Sequence, residues 1–168
     1  MLPKLTLING VLESTIDLLM NRIKAKNVVI EKQWNGTVQA IAVAGELRQV
    51  FSNLLSKSLD AVGERGAITV RCSNVRSLGL ARFVRVIIAD NGKGIDKSSK
   101  KHLFEAFFTT KGAIGTGLGL WVSKQIIDKH GGTIRVRSCI DGARRGTVFS
   151  VLLPENLDFT EARETAAD

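Results

Sequence analysis

Apolar residues recur along this chain in two rhythms, one of about 3.6 residues and one of two. Leu5 to Ile8 reads as a short strand. From Val11 to Ala25 the positions Val11, Leu12, Thr15, Leu18, Leu19, Arg22 and Ile23 fall on one helical stripe. Val28 to Trp34 reads as a strand, Asn35-Gly36 is a hairpin signal, and Val38 to Val43 is expected to return beside it. Glu46 to Val62 is a long amphipathic helix with Leu47, Val50, Phe51, Leu54, Ser58, Ala61 and Val62 on one face, ended by Gly63. Ile68 to Val75 alternates, with Ile68, Val70 and Cys72 inward. Ala81 to Ala89 is more continuously apolar, as a central strand covered on both faces would be.

Ser98 to Phe104 reads as a short helix, and Glu105 to Thr116 has no clear period and reads as a loop. Leu118 to Lys129 is amphipathic, with Leu118, Val122, Ile126 and Lys129 on one line, and His130-Gly131-Gly132 stops it. Thr133 to Cys139 and Thr147 to Leu153 are strands joined by a polar turn around Asp141-Gly142. Interspersed elements with frequent hairpins predict a two-layer α/β (α+β) sandwich: a mixed, mostly antiparallel sheet of about five strands with helices on one face. Residues 1–154 are expected to form one domain and 155–168 a polar tail, with no internal repeat and no linker.

Composition narrows the function without naming it. The chain has 168 residues, 44% hydrophobic and 24% charged, an ordinary balance for a globular domain. No apolar run approaches the ~20 residues of a membrane span, and the N-terminus lacks the make-up of a signal peptide, so no membrane contact is expected and the domain is read as cytoplasmic. Cys72 and Cys139 both fall in strand-like segments and are read as small buried hydrophobes of a reducing compartment. The net charge of +8 favours an anionic partner (a nucleotide, a nucleic acid or an acidic protein face) or else a solvated basic surface. Nucleic acid is disfavoured: there is no Lys/Arg run, no Tyr, and no interleaving of aromatic with basic residues.

The candidate chemistry concentrates between Ile88 and Leu120. An apolar run ends in D-N-G-K-G-I, and a second cluster, G-T-G-L-G-L, opens an amphipathic helix. Glycine at that density lets backbone N–H groups approach phosphate oxygens, and a helix N-terminus adds its dipole. The second cluster is not a P-loop, because no Gly-Lys-Ser/Thr follows at the required spacing, nor a dinucleotide-binding turn, whose glycines lie in the first strand–helix turn of a parallel unit. Asp90, at the end of an apolar strand, suits either an Asx turn or a hydrogen bond from an exocyclic amine such as that of adenine. On the long helix, Glu46, Gln49, Asn53, Lys57 and Asp60 share a polar face, which is either a solvated surface or one wall of a nucleotide pocket.

Four motifs in order resemble one known family. E-L-R-Q-V-F-S-N-L-L-S-K-S-L-D-A (Glu46 to Ala61) resembles an asparagine box and D-N-G-K-G-I (Asp90 to Ile95) a first glycine box. H-L-F-E-A-F-F-T-T-K (His102 to Lys111) resembles a phenylalanine box and G-T-G-L-G-L (Gly115 to Leu120) a second glycine box. Over roughly Leu5 to Pro154 the chain is similar to the catalytic, ATP-binding domain of sensor histidine kinases, the Bergerat fold shared with DNA gyrase B, MutL and the large heat-shock chaperone. The resemblance implies ATP and Mg²⁺ as ligands, a histidine-bearing dimerisation domain as acceptor, and a response regulator downstream.

It also implies roles. Asp90 would take the adenine amine, with Gly92, Gly94, Ile95 and Thr147 around the base. Phe104, Phe107 and Phe108 would anchor a lid that brings Thr110 and Lys111 to the phosphates. Gly115, Thr116, Gly117, Leu118, Gly119 and Leu120 would cradle them. Asn53 would lie at the triphosphate, as a catalytic residue and a possible metal ligand. Lys57 stands where the family has a second, metal-binding Asn. A lysine has no acceptor atom and its charge repels Mg²⁺, so the site is either lysine-adapted or impaired. Neither His102 nor His130 has the setting of a phosphorylated histidine, and both are read as structural. Two rivals remain, an anti-sigma-factor-type serine kinase and a degenerate nucleotide-sensing module.

Overall fold

The structure is a computed structural model that describes residues 2–34, 36–76, 81–108, 116–142 and 145–156. The elements are β1 (Lys4–Leu7), α1 (Ile8–Leu18), α2 (Met20–Ala25), β2 (Val29–Trp34), β3 (Gln39–Ala42), α3 (Ala44–Ala61), β4 (Ala67–Arg76), β5 (Arg82–Asp90), α4 (Lys97–His102), α5 (Gly119–Lys129), β6 (Thr133–Cys139) and β7 (Gly146–Pro154). Five strands form one sheet in the order β2-β4-β5-β7-β6, and β1 and β3 form a separate antiparallel pair. The expected two-layer sandwich with a mixed sheet is the fold observed.

α3 is the spine of the helical layer. It buries Leu47, Val50, Phe51, Leu54, Leu55, Ser58 and Leu59 against the inward residues of the sheet, such as Val70, Val86, Ile88 and Phe149. Full burial of each large apolar side chain contributes about 2 kcal/mol, which explains why this face is so regular. The helix is slightly offset from the expected range, and Ala61 lies at its end rather than in the core.

Four expectations need correction. The strands on either side of Asn35-Gly36 do not pair with each other as the hairpin signal predicts; Asn35 itself lies outside the described residues. β2 pairs in parallel with β4 (Val29 opposite Ala67), whereas β3 pairs antiparallel with β1 (Leu5 opposite Ile41). The two-residue turn signal is local, but Val38, Ala40 and Ala42 are fully buried by joining the other sheet, and that burial decides the pairing.

The single helix over 11–25 is broken at Leu19. Leu18 is 70% exposed, and Ile16 takes the buried place instead. Arg22 lies outside the apolar stripe, its guanidinium 3.0 Å from Asp60.

β5 is central but covered on one face only. Val84, Val86, Ile88 and Asp90 are buried, while Phe83, Ile87 and Ala89 are half-buried and Arg85 is exposed. The outer face is screened by long side chains, Arg71 opposite Ile87 and Arg85 opposite Leu152. Cys72 is buried, and that burial pushes its thiol up to about 12. Cys139, by contrast, is exposed at the end of β6.

Two contacts tie the helices at the front of the site. His130 is buried at the end of α5; its Nδ1–H donates to the Ile126 carbonyl (2.8 Å), so Nε2 is the acceptor for the Val43 N–H (3.1 Å) just before α3. Lys129 closes the same junction on Glu46 (2.7 Å). Beyond Pro154, Glu155 still accepts from the Ile41 N–H and donates to Arg82; residues 157–168 lie outside the described set. No helix among the described residues is long and apolar enough to cross a membrane.

His130→Ala leaves a buried N–H without a partner and is expected to lower unfolding stability by about 2 kcal/mol, read from the denaturant midpoint. His130→Gln, which keeps an acceptor, is expected to lose less.

Candidate functional site

The site grows from the last residue of β5. The β5–β7 register sets Asp90 opposite Thr147, and both are buried. Asp90 Oδ1 accepts the N–H groups of Gly92 (2.9 Å) and Thr147 (3.2 Å). Its Oδ2 and the adjacent Ser58 hydroxyl are both buried, and neither makes a hydrogen bond of ordinary geometry among the described residues, although the hydroxyl stands close enough to favour the ionised carboxyl. Burial pushes the Asp90 carboxyl above the usual carboxylate range, while the Gly92 N–H, the Ser58 hydroxyl and the Thr147 N–H pull it back. A buried acceptor without a donor is costly, so this oxygen is a natural place for a donor from outside the chain.

Asp90 lines a cavity of about 350 Å³. One wall is α3, through Lys57, Asp60 and Ala61. The rest is the Lys93–Asp96 turn, Ser99 of α4, Ile140, Thr147 and Phe149. Two glycines hold this geometry. Gly94 has φ +75°, and a Cβ there would lie 2.2 Å from the Cys139 carbonyl oxygen. Gly146 has φ +142°, and a Cβ would lie 2.0 Å from the Asp90 carbonyl oxygen. The Lys93 N–H caps the Ala61 carbonyl (3.1 Å), so the turn is seated on the end of α3.

A second cluster lies further back on α3. Asn53 is eight residues before Ala61, about 12 Å along the helix axis. Its Nδ2 donates to the Gly119 carbonyl (2.8 Å) and Ser123 Oγ (3.1 Å), which fastens α3 to the first turn of α5. Leu118 caps α5 without a side-chain hydrogen bond, and the first N–H groups of such a helix, with its dipole, suit an anion. Gly117 lies against the Phe107–Phe108 backbone, bringing the two flanks of segment 109–115 together.

The sequence-predicted residues divide accordingly. Lys57, Asp90, Gly94, Ile95 and Thr147 meet at one cavity, with Gly92 bonded to Asp90 behind it. Asn53, Gly117, Leu118 and Gly119 gather at the other end, with Thr116 exposed beside them. Leu120 is placed otherwise: it is buried in the core, because the second residue of α5 turns inward. Phe104 packs against the core. The Phe108 ring lies against His102 (5.8 Å between centroids), and Phe107 is largely exposed. Thr110, Lys111 and Gly115 lie outside the described residues.

Several site residues were missed in the sequence. Asp96 was legible as the cap of α4, accepting the Ser99 N–H; the Ser98 and Ser99 hydroxyls hold its carboxyl far below the usual range. Ser123 stands one helical turn after Gly119. Ser138 carried no signal.

A family model described as histidine kinase-, DNA gyrase B- and HSP90-like ATPase matches residues 42–157. The chain belongs to this ATPase family. Among curated sensor kinases, ZraS of Salmonella typhi is 35% identical over 148 residues, 88% of this chain and 30% of that protein. AtoS of Escherichia coli K12 is 36% identical over 150 residues, 89% of this chain and 23% of that protein. The chain thus spans less than a third of the length of these relatives.

Among solved structures, the catalytic domain of the histidine kinase ThkA superposes with a TM-score of 0.81 at 28% identity, covering 93% of this chain and 99% of that one. ThkA in complex with the response regulator TrrA gives 0.74 at 25% identity, covering 91% of this chain and 42% of that one. The fold is therefore that of a histidine-kinase catalytic domain, an ATP-binding architecture.

For this ATPase-family site, Asp90→Asn replaces the orphaned acceptor by an N–H₂ donor. ATP affinity is expected to fall at least about tenfold by calorimetry, and the melting temperature to hold or rise because a buried charge is gone. In the native chain ATP affinity is expected to fall as pH drops through the raised Asp90 pKa, since the protonated oxygen no longer accepts. Stability moves the other way: the folded carboxyl holds its proton more tightly than the unfolded one, so its destabilising share is relieved as pH falls toward the ordinary carboxylate value.

Proposed function

We propose that this chain binds ATP with the adenine amine on Asp90 and the phosphates extended along α3 toward the N-terminus of α5, and serves as the catalytic domain of a sensor histidine kinase. The observation that carries this is the buried Asp90 carboxylate in the cavity wall, whose Oδ2 makes no hydrogen bond of ordinary geometry among the described residues. In the transfer, the bond from the γ-phosphorus to its bridging oxygen breaks, ADP leaves, and a P–N bond forms to an imidazole that gives up its ring proton. The chain's own task is to position and to balance charge. The acceptor is a histidine on a separate helical dimerisation domain, the next partner is a response regulator, and the setting is the cytoplasm.

Mg²⁺ is typical of the family, but the residues present do not make a site for it. The Asn53 amide nitrogen is committed to Gly119 and Ser123, which leaves one neutral oxygen. One turn further on stands the Lys57 ammonium, and among the described residues no three acidic, His or Cys side chains gather at a metal's spacing. Lys57 lies between the base end at Asp90 and the phosphate end at Asn53, where an ammonium meets polyphosphate oxygens directly. The same lysine supports the second reading, a nucleotide-sensing module that has lost transfer.

Calorimetric titration with ATP, with and without Mg²⁺, is expected to show binding in both conditions, and Lys57→Asn to make binding depend on Mg²⁺. Incubation with the cognate dimerisation domain is expected to yield an acid-labile phosphoramidate. An acid-stable product would point to a serine kinase, and ATP binding without transfer to the sensing module.

A further inference from the structure

The Ser138 hydroxyl stands behind the base end and touches three groups. It accepts the Ile95 N–H at 2.8 Å, contacts the Gly146 carbonyl oxygen at 2.8 Å, and lies 2.9 Å from the Thr147 hydroxyl. An amide N–H only donates and a carbonyl only accepts, so Ser138's single proton goes to Gly146. The contact with Thr147 is then satisfied in one way, with Thr147 donating its proton to Ser138. The Thr147 oxygen, in the cavity wall, is left with lone pairs alone to offer. Beside it stands the Asp90 carboxylate, set against the Thr147 backbone N–H at 3.2 Å.

We propose that Ser138 is a positioning residue for nucleotide specificity: by taking the Thr147 proton it fixes that hydroxyl as an acceptor, so the base end presents two adjacent acceptors and selects a 6-amino purine over a 6-oxo purine. This rests on the nucleotide reading of the cavity given above. Asp90 alone does not make the distinction, because the ring N–H of hypoxanthine or guanine is also a donor for a carboxylate. The neighbouring oxygen makes it. Facing an amine it accepts, and facing a 6-oxo group it opposes one lone pair with another, which a buried site tolerates poorly. With Ser138 removed, the Thr147 hydroxyl is free to turn and donate.

The test is the ratio of dissociation constants for ATP and ITP, which differ in the 6-amino and 6-oxo groups, measured by calorimetry on the native chain, Ser138→Ala and Thr147→Val. The native chain is expected to prefer ATP by at least about 100-fold. Ser138→Ala is expected to lower that preference by about tenfold, with ITP gaining, and Thr147→Val to lower it as well. Equal loss of both nucleotides in Ser138→Ala would mark Ser138 as structural and overturn the proposal. If Ser138→Ala does not fold, an unchanged ratio in Thr147→Val would overturn it. A native chain that binds ATP and ITP equally would also overturn it, whereas one that binds neither would overturn the nucleotide reading beneath it.

Discussion

A carboxylate is held at the end of the central strand with one oxygen spent and the other unspent. The β5–β7 register sets Asp90 against Thr147, and two backbone N–H groups take Oδ1. Burying a charged group raises its free energy unless partners compensate. Here those N–H groups and the Ser58 hydroxyl compensate only part of it, and the carboxyl is pushed toward its neutral form. The features around it follow from keeping that oxygen available. Gly146 passes too close to the Asp90 backbone for any side chain, Gly94 turns against Cys139, and the Lys93 N–H seats the turn on α3. In the proposed reading a ligand donor completes what the fold leaves open, so binding energy and folding cost meet at one carboxylate.

α3 relates the two ends of the site. Ser58 and Ala61 stand by Asp90, Lys57 comes next along the polar edge, and Asn53 is fastened to the start of α5. The spacing from Asn53 to Ala61, about 12 Å, suits a nucleotide laid base to phosphate along the helix. His130 and Lys129 hold the other end of α5 against the start of α3, so α5 is braced against α3 at both of its ends.

Much of this was legible in the sequence where a physical demand leaves a pattern. The apolar face of α3, the D-N-G-K-G-I turn and the G-T-G-L-G-L helix start are such cases; they pointed to Asp90, Gly94, Ile95 and Thr147, which the structure brings to one cavity, and to Asn53, which it bonds to the first turn of α5. What was not legible depends on contacts distant in the chain. Asn35-Gly36 has the chemistry of a tight hairpin, yet burial of Val38, Ala40 and Ala42 sends β3 to β1 instead. Leu18 keeps the helical period and is exposed because the helix breaks one residue later. Leu120 sits inside the glycine motif but faces the core. Ser138, an ordinary serine in a strand, matters only through its partners on the Gly94–Ile95 turn and on β7.

The most direct measurement is the titration of the Asp90 carboxyl carbon by NMR, in the free chain and with saturating ATP. The free carboxyl is expected to titrate above the usual carboxylate range. ATP is expected to lower that midpoint, because an amine donor on Oδ2 stabilises the ionised form. A midpoint that saturating ATP leaves unmoved, or moves upward, would contradict the assignment of Oδ2 as the acceptor for the base.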